Sequence, residues 1–413
     1  MKSANYFILV VGLAFLTSCS KTNDADEQEP PTTSPPANGT PVETNPPNTS
    51  YKPVFTGQTR IHGAATTTPY QSNVITSALT APWGITSLPD GRLLVTEKGG
   101  RMRIVTTTGT VSSPITGIPT VNSNGQGGLL GLCVDPQFAV NRMVYWVFSE
   151  NVTGGTVTAA AKGRLADNEA SFENVSVLYR ANPAANSTAH YGGRILFDQS
   201  GNLLISTGER SGISTRPLSQ SVTAALGKIL RITTTGLPAP GNPNMGQSGA
   251  MPELYSIGHR NPQGLAKHPI TNDIWQSEHG PRGGDELNRI SAGANYGWPV
   301  ITYGIEYGGE PIGSGIQQQN GMEQPVYYWD PVISPSGMTF YKGNRIPEWQ
   351  NNLFIGALSG THIARLIIQD NRVVGEERLL ASENQRFRDV TQGTDNALYA
   401  ITDGGRLYRI DRK

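Results

Sequence analysis

Six times along this chain the same short form recurs: a turn residue, an apolar strand, a short polar turn and a second strand. The copies are DGRLLVTEKGGRMRIV from Asp90, NRMVYWVFSE from Asn141 with TAAAKGRL after it, and SGNLLISTGER from Ser200 with a later GKILRI. They continue as TNDIWQSEHG from Thr271 with DELNRI, NNLFIGALSGTHIARLII from Asn351, and TDNALYAITDGGRLYRI from Thr394. Starts fall roughly 45 to 80 residues apart, close to propeller blade lengths once loop insertions are allowed. One such sheet buries little by itself, so a repeat of this kind is stable only when neighbours pack radially around an axis. The expected fold is all-β, a six-bladed β-propeller over residues 56–413. The 48 glycines and 29 prolines, and the lack of long helical patterns, agree with it.

A second regularity bears on function. About 8 to 17 residues ahead of each hairpin, a Gly- or Pro-rich segment leads into another apolar strand. These segments are PWGITSL, GQGGLLGLCV, AHYGGRILF, HRNPQGLA, SPSGMTF and RFRDVTQG, starting at Pro82, Gly125, Ala189, His259, Ser334 and Arg386. The first strand of a propeller blade lines the central channel, so the six should converge on the axis. Polar residues at their starts, namely Gln126, His190, Arg260, Asn261, Arg386 and Arg388, would then ring one mouth, and that ring is the candidate site.

Lys+Arg and Asp+Glu balance at 32 each, which gives no pull toward nucleic acid or an anionic membrane surface. The N-terminus reads as a targeting segment. Lys2 is followed by an apolar stretch, Phe7 to Leu16, too short to span a bilayer. It ends in Leu16-Thr17-Ser18-Cys19, which resembles the lipobox of bacterial lipoproteins and implies a signal peptide over residues 1–18 and a lipid on Cys19. Residues 19–55 then read as a Pro/Thr/Asn-rich disordered tether, because the stretch from Ser20 to Ser50 has almost nothing apolar to bury. The expected location is the bacterial cell envelope, periplasmic or cell-surface, with the membrane reached through the lipid alone. Cys133 is left without a partner and reads as a small buried thiol.

One further stretch, SEHGPRGGDELNRISAGANYGW at residues 277–298, crowds one histidine, two arginines and three acids together. Taken alone it could be a metal loop, an anion cradle, a catalytic patch or a solvated turn. Its GGDEL brushes against the GGDEF signature of nucleotide cyclases, but here it falls within a β-blade and not among a cyclase's helices.

Taken together and in order, GQGGLLG, HYGGR, GHRNPQGLA, EHGPRGGDELN, ANYGWP, EQPVYYWDP and RFRDV resemble the PQQ-dependent aldose sugar dehydrogenases, related to soluble quinoprotein glucose dehydrogenase. The resemblance runs from about Ala81 to Arg409 and implies a six-bladed propeller, PQQ and Ca2+ as cofactors, and oxidation of aldoses at C1 to lactones. It implies His190 as the general base, oriented by Glu209, with Arg260 stabilising charge on the reduced quinone. PQQ would be held by Gln126, Arg260, Asn261, His279, Tyr307, Arg386 and Arg388. The planar forks of Arg386 and Arg388, two apart on one strand face, suit its carboxylates. The Gly280 and Pro281 carbonyls would hold Ca2+, and Glu286 with the Tyr296 carbonyl a second, structural Ca2+. Two positions depart from the family. Ser359 stands where many members carry Lys, and Ala189 where relatives carry Asn or Asp. The partners implied are an aldose and an electron acceptor, with a cytochrome or a quinone as candidates.

Other functions fit less well. A non-catalytic cell-surface propeller that binds a glycan or a protein would have no reason to keep His190, Arg260 and the two arginines together. A Ca-dependent propeller lactonase needs axial carboxylates, and the axis segments show few. No G-x-S-x-G elbow, Rossmann fingerprint or Walker A string is present.

Overall fold

The computed structural model describes Met1 and residues 39–413; Cys19 and the expected signal peptide lie outside the described residues. The first sheet is β2 (Pro82–Ser87), β3 (Leu93–Glu97) and β4 (Arg101–Val105), preceded in the chain by β1 (Tyr70–Thr76). The second holds β5 (Leu129–Val134), β6 (Met143–Val152), β7 (Gly155–Leu165) and β8 (Phe172–Arg180). The third holds β9 (Ile195–Phe197), β10 (Leu203–Thr207), β11 (Lys228–Ile232) and β12 (Leu254–Ile257). In the fourth stand β13 (Pro262–Lys267), β14 (Ile274–Glu278), β15 (Asp285–Ile290) and β16 (Tyr327–Trp329). The fifth is β17 (Pro335–Phe340), β18 (Leu353–Ala357), β19 (Ile363–Gln369) and β20 (Arg372–Leu379). The last is β21 (Phe387–Gln392), β22 (Leu398–Thr402) and β23 (Leu407–Arg412), whose outer edge is filled by β1. This is the expected six-bladed propeller, and the six expected inner segments lead into β2, β5, β9, β13, β17 and β21.

Each blade is sandwiched between two others, so its second strand has both faces covered. LLVTE, LLIST, IWQSE, LFIGA and LYAIT are buried at every position. Strands with two buried faces read as continuous apolar runs, not alternations. Among the described residues the buried apolar side chains fall into six clusters, one at each blade–blade interface. Trp146 packs on Phe172 between the first two blades, and Trp275 meets Phe340 between the fourth and fifth. Each such side chain contributes about 1.5–3 kcal/mol by leaving water. Cys133 packs beside the second cluster interface, and burial raises its thiol pKa.

Two features were not expected. Strand β1 pairs antiparallel with β23, Val74 opposite Tyr408, so the two ends of the globular chain share one blade. Residues 39–55, expected within a disordered tether, lie against the outer edges of the fourth and fifth blades. Polar contacts hold them there: Asn48 and Thr49 bond the Asp330 carboxylate, and Glu43 pairs with Arg378 at 2.7 Å. Composition misses this because little apolar burial is involved.

Candidate active site

The inner strands pack against one another around the axis, and His190 lies just ahead of β9, beside Glu209, Arg260 and His279. The residue sits at φ +47°, in the left-handed region, and is only 6% exposed. Such a conformation in a residue with a Cβ is uncommon and persists where its surroundings fix it. They do so here. Gln126 Oε1 accepts the His190 amide at 2.8 Å, the Asn261 side-chain oxygen accepts the Gly192 amide at 3.0 Å, and the Arg210 amide donates to the His190 carbonyl. The ring's Nδ1 lies 2.6 Å from Glu209 Oε1, which leaves Nε2 for a reactant. Burial holds the imidazole below its ordinary pKa; the Arg260 charge pushes the same way, and Glu209 opposes both. The ring is therefore neutral near pH 7, as a general base must be.

Arg260 ties this turn to the fourth blade. Its carbonyl accepts the Glu209 amide at 2.9 Å, and its own amide donates to Glu278 at 2.5 Å. Its guanidinium donates to the carbonyls of His279 (2.9 Å) and Gly280 (2.8 Å) and lies beside the Trp298 ring. The Tyr307 hydroxyl is 3.5 Å from it, and Tyr307 itself is 71% exposed, an aromatic wall at the rim.

Arg386 and Arg388 do face the same way, as period two implies, and both grip Asp403. Arg386 Nε is 2.9 Å from one carboxylate oxygen and Arg388 Nε 2.8 Å from the other. Arg388 also donates to Gln263 Oε1 at 2.9 Å. Lys98 joins them. Burial and the nearby Arg388 charge lower its ammonium pKa, and it donates to the Gly125 carbonyl at 2.7 Å. Among the described residues Ser359 bonds the Ser334 hydroxyl and the Val332 carbonyl, and the additional cation here, Lys98, comes from the first blade.

Deeper on the axis, Arg194 of the third blade pairs with Asp389 of the sixth at 2.6 Å and stacks over Trp83 of the first. Asp389 also accepts the Ile85 amide at 2.9 Å. Of the carboxylates near the axis, Asp389 comes from an inner segment, and Glu209, Glu278 and Asp403 come from the ends of second strands. Each is matched by an arginine, a histidine or a backbone amide, leaving none as part of an open acidic ring. Glu209 was expected; Glu278 and Asp403 were not, nor was Lys98. They share a signal, since all four stand at or just past the end of a second strand, in LLVTEK, LLISTGE, IWQSE and LYAITD.

The loop 279–284 joins β14 to β15 at the mouth. A Cβ at Gly280 would collide with the backbone of Gly283 and Gly284, and the latter two residues have φ of +83° and +71°. Only glycines allow this turn to close so tightly. Asp285 fixes it, accepting the Gly280 amide at 2.7 Å and, on its other oxygen, the amides of Ile333 and Ser334. The His279 ring is buried, and burial together with the charges of Arg260 and Arg388 keeps it well below the usual histidine pKa. Glu286 lines a small cavity with Glu278 and Trp298, and Asn288 donates to both carboxylates. Burial and the adjacent Glu278 hold its carboxyl pKa well up. Tyr296 stacks its ring on His259 at 4.8 Å, and its hydroxyl bonds the Arg289 carbonyl.

These donors suit a planar tricarboxylate. Two arginines, a lysine and Arg260 face the mouth, and buried Asn261 Nδ2 and His279 Nε2 have no partner among the described residues. For a hard cation the oxygen donors are the loop carbonyls, with that of Gly280 shared with Arg260, and the Glu278–Glu286 pair behind them.

The glucose/sorbosone dehydrogenase family model matches residues 79–409. Aldose sugar dehydrogenase YliI of Escherichia coli is 39% identical over 342 residues, 82% of this chain and 91% of its own length. A crystal structure of a glucose dehydrogenase, 42% identical, superposes with a TM-score of 0.79 over 83% of this chain and 99% of that one. The PQQ-bound form of an aldose sugar dehydrogenase from Streptomyces coelicolor, 29% identical, gives 0.68 over 84% and 99%. The fold and these likenesses show that the chain belongs to the glucose/sorbosone dehydrogenase family.

Proposed function

We propose that the protein oxidises an aldose at C1 to the lactone, with PQQ as hydride acceptor and Ca2+ beside it. The observation that carries this reading is the His190–Glu209 pair, 2.6 Å apart through Nδ1, with the imidazole pKa lowered by burial and by the neighbouring Arg260. Bound PQQ would supply a hydride-accepting quinone, and Ca2+ would polarise its carbonyl. His190 Nε2 takes the C1 hydroxyl proton as the hydride leaves carbon, and Glu209 stabilises the imidazolium that results. Arg260 stabilises the negative charge that develops next to it. Arg386, Arg388, Lys98, Gln126 and Asn261 bind and orient the cofactor, while His279 and Tyr307 flank it. The Gly280 and Pro281 carbonyls are the proposed ligands of the first Ca2+. Glu286 with the Tyr296 carbonyl is the proposed second site, where a cation would offset the burial and the Glu278 charge that raise the Glu286 carboxyl pKa. Electrons leave to an acceptor such as a cytochrome or a quinone. We further propose an envelope location with a lipid on Cys19, on the strength of the Leu-Thr-Ser-Cys string.

The test is reconstitution with PQQ and Ca2+ followed by reduction of an acceptor dye over a panel of aldoses. C1 oxidation that requires PQQ supports the reading, and a protein that neither binds PQQ nor turns over any aldose overturns it. His190→Ala should abolish turnover and still bind PQQ.

A further inference from the structure

The loop that carries the Gly280 and Pro281 carbonyls is not held by its own blade alone. Asn48 donates its amide and side chain to Asp330 Oδ1 at 2.8 and 2.9 Å, and Thr49 donates its amide and hydroxyl to Oδ2, both at 3.0 Å. Asp330, 4% exposed, follows β16 and packs against the loop: a Cβ at Gly283 would come within 2.9 Å of its Oδ1. Asn48 also accepts from Arg282 Nε at 3.3 Å. Arg60 closes the arrangement from behind, donating to the Asp330 carbonyl at 2.6 Å and to the Asn45 carbonyl at 2.7 Å.

The same segment supports the other wall of the mouth. Gln58 accepts from the Tyr303 hydroxyl at 3.1 Å and donates to the Pro325 carbonyl at 3.0 Å. Two residues beyond Tyr303, Ile305 exchanges backbone hydrogen bonds of 3.1 and 3.0 Å with Arg282, and Tyr307 follows. All these strap residues precede residue 79, where the family span begins.

We infer that residues 41–58 are a positioning strap for the cofactor loop, with Asn48 and Thr49 acting through Asp330 to set the backbone of Arg282 to Gly284. The inference rests on the reading of that loop as a cation- and PQQ-binding loop. A turn with two consecutive left-handed glycines has little stiffness of its own, so its geometry must be imposed by neighbours. Four hydrogen bonds onto one buried carboxylate are strong enough to impose it. The strap thereby fixes the direction of the Gly280 and Pro281 carbonyls and the approach of Tyr307, without touching either reactant.

The experiment compares the full chain with Asn48→Ala/Thr49→Val and with Asp330→Ala, by amide hydrogen exchange without cofactor and by PQQ titration at saturating Ca2+. Both variants should speed exchange at Arg282 and Gly284 and weaken PQQ binding, each by about tenfold, the scale of one or two hydrogen bonds. Exchange in the His190 turn and the melting temperature of the double variant should stay as in the parent. Unchanged loop exchange and PQQ affinity in both variants would overturn the inference. Faster exchange throughout the propeller would also overturn it, by showing a general loss of stability. If the parent itself binds no PQQ, the proposed function fails, and the local exchange at 282–284 still decides for or against the strap.

Discussion

His190 Nδ1 and Glu209 Oε1 lie 2.6 Å apart, beside a left-handed turn that Gln126, Asn261 and Arg210 hold by hydrogen bonds. The carboxylate orients the ring and raises its basicity, while burial and Arg260 lower it. The balance leaves the pKa below the ordinary histidine value of about 6.5. Activity that needs the neutral ring is therefore complete at neutral pH and falls as pH drops through that lowered pKa.

Glu209→Gln removes the one group that favours the imidazolium. The acid limb of the kcat profile should move to still lower pH, and kcat should fall about 10²-fold or more as the ring loses its oriented tautomer. A pH–rate profile of the reconstituted enzyme checks both. An unmoved limb with unchanged kcat would show that the pair is only structural.

Arg260→Met acts with the opposite sign on the same limb. Losing the adjacent cation lets the His190 pKa rise, so the acid limb should shift to higher pH even as turnover falls. Opposite shifts in two variants that both lose activity would be hard to produce by loss of folding.

Arg388→Lys keeps the charge but loses the fork that reaches Asp403 and Gln263 together. PQQ affinity should drop about tenfold or more, and Arg386→Lys, at a side chain half exposed to water, should cost less. Equilibrium titration of the apo-protein with PQQ measures both. Equal affinities in the two variants would argue against an unequal grip.

Arg194→Met leaves the Asp389 carboxylate buried without its partner. Denaturant unfolding should show a loss of about 3–5 kcal/mol, with part of it recovered in Arg194→Met/Asp389→Leu, where neither charge remains. Failure of the second substitution to recover stability would mean that Asp389 is needed for its bond to the Ile85 amide more than for the ion pair.

Much of this was legible in the sequence because a propeller writes its architecture as a repeat. Inner strands and hairpins recur in order, so Gln126, His190, Arg260, Asn261 and the Arg386–Arg388 pair could be assigned to one mouth before any coordinates. Glu278, Asp403 and Lys98 went unread although each stands at the same place in its blade, because attention fell on the inner strands and not on where the second strands end. Strand β1 was hidden for another reason: YQSNVIT has no fully buried residue and no strong apolar pattern, and its partner β23 lies at the far end of the chain. The docking of Asn48 and Thr49 on Asp330 was out of reach of composition, which registers apolar burial and not a few hydrogen bonds to one carboxylate.

The pairing of β1 with β23 sets the order of events as the protein is made. The sixth blade lacks its outer strand until Leu407–Arg412 has been synthesised, although β1 has been waiting since the first quarter of the chain. Lys98 and Asp403, which meet at the mouth, are separated by almost the whole propeller in sequence. Pairing of the last strand with β1 completes the sixth blade, and closure of the ring sets Lys98 of the first blade beside Arg388 and Asp403 of the sixth.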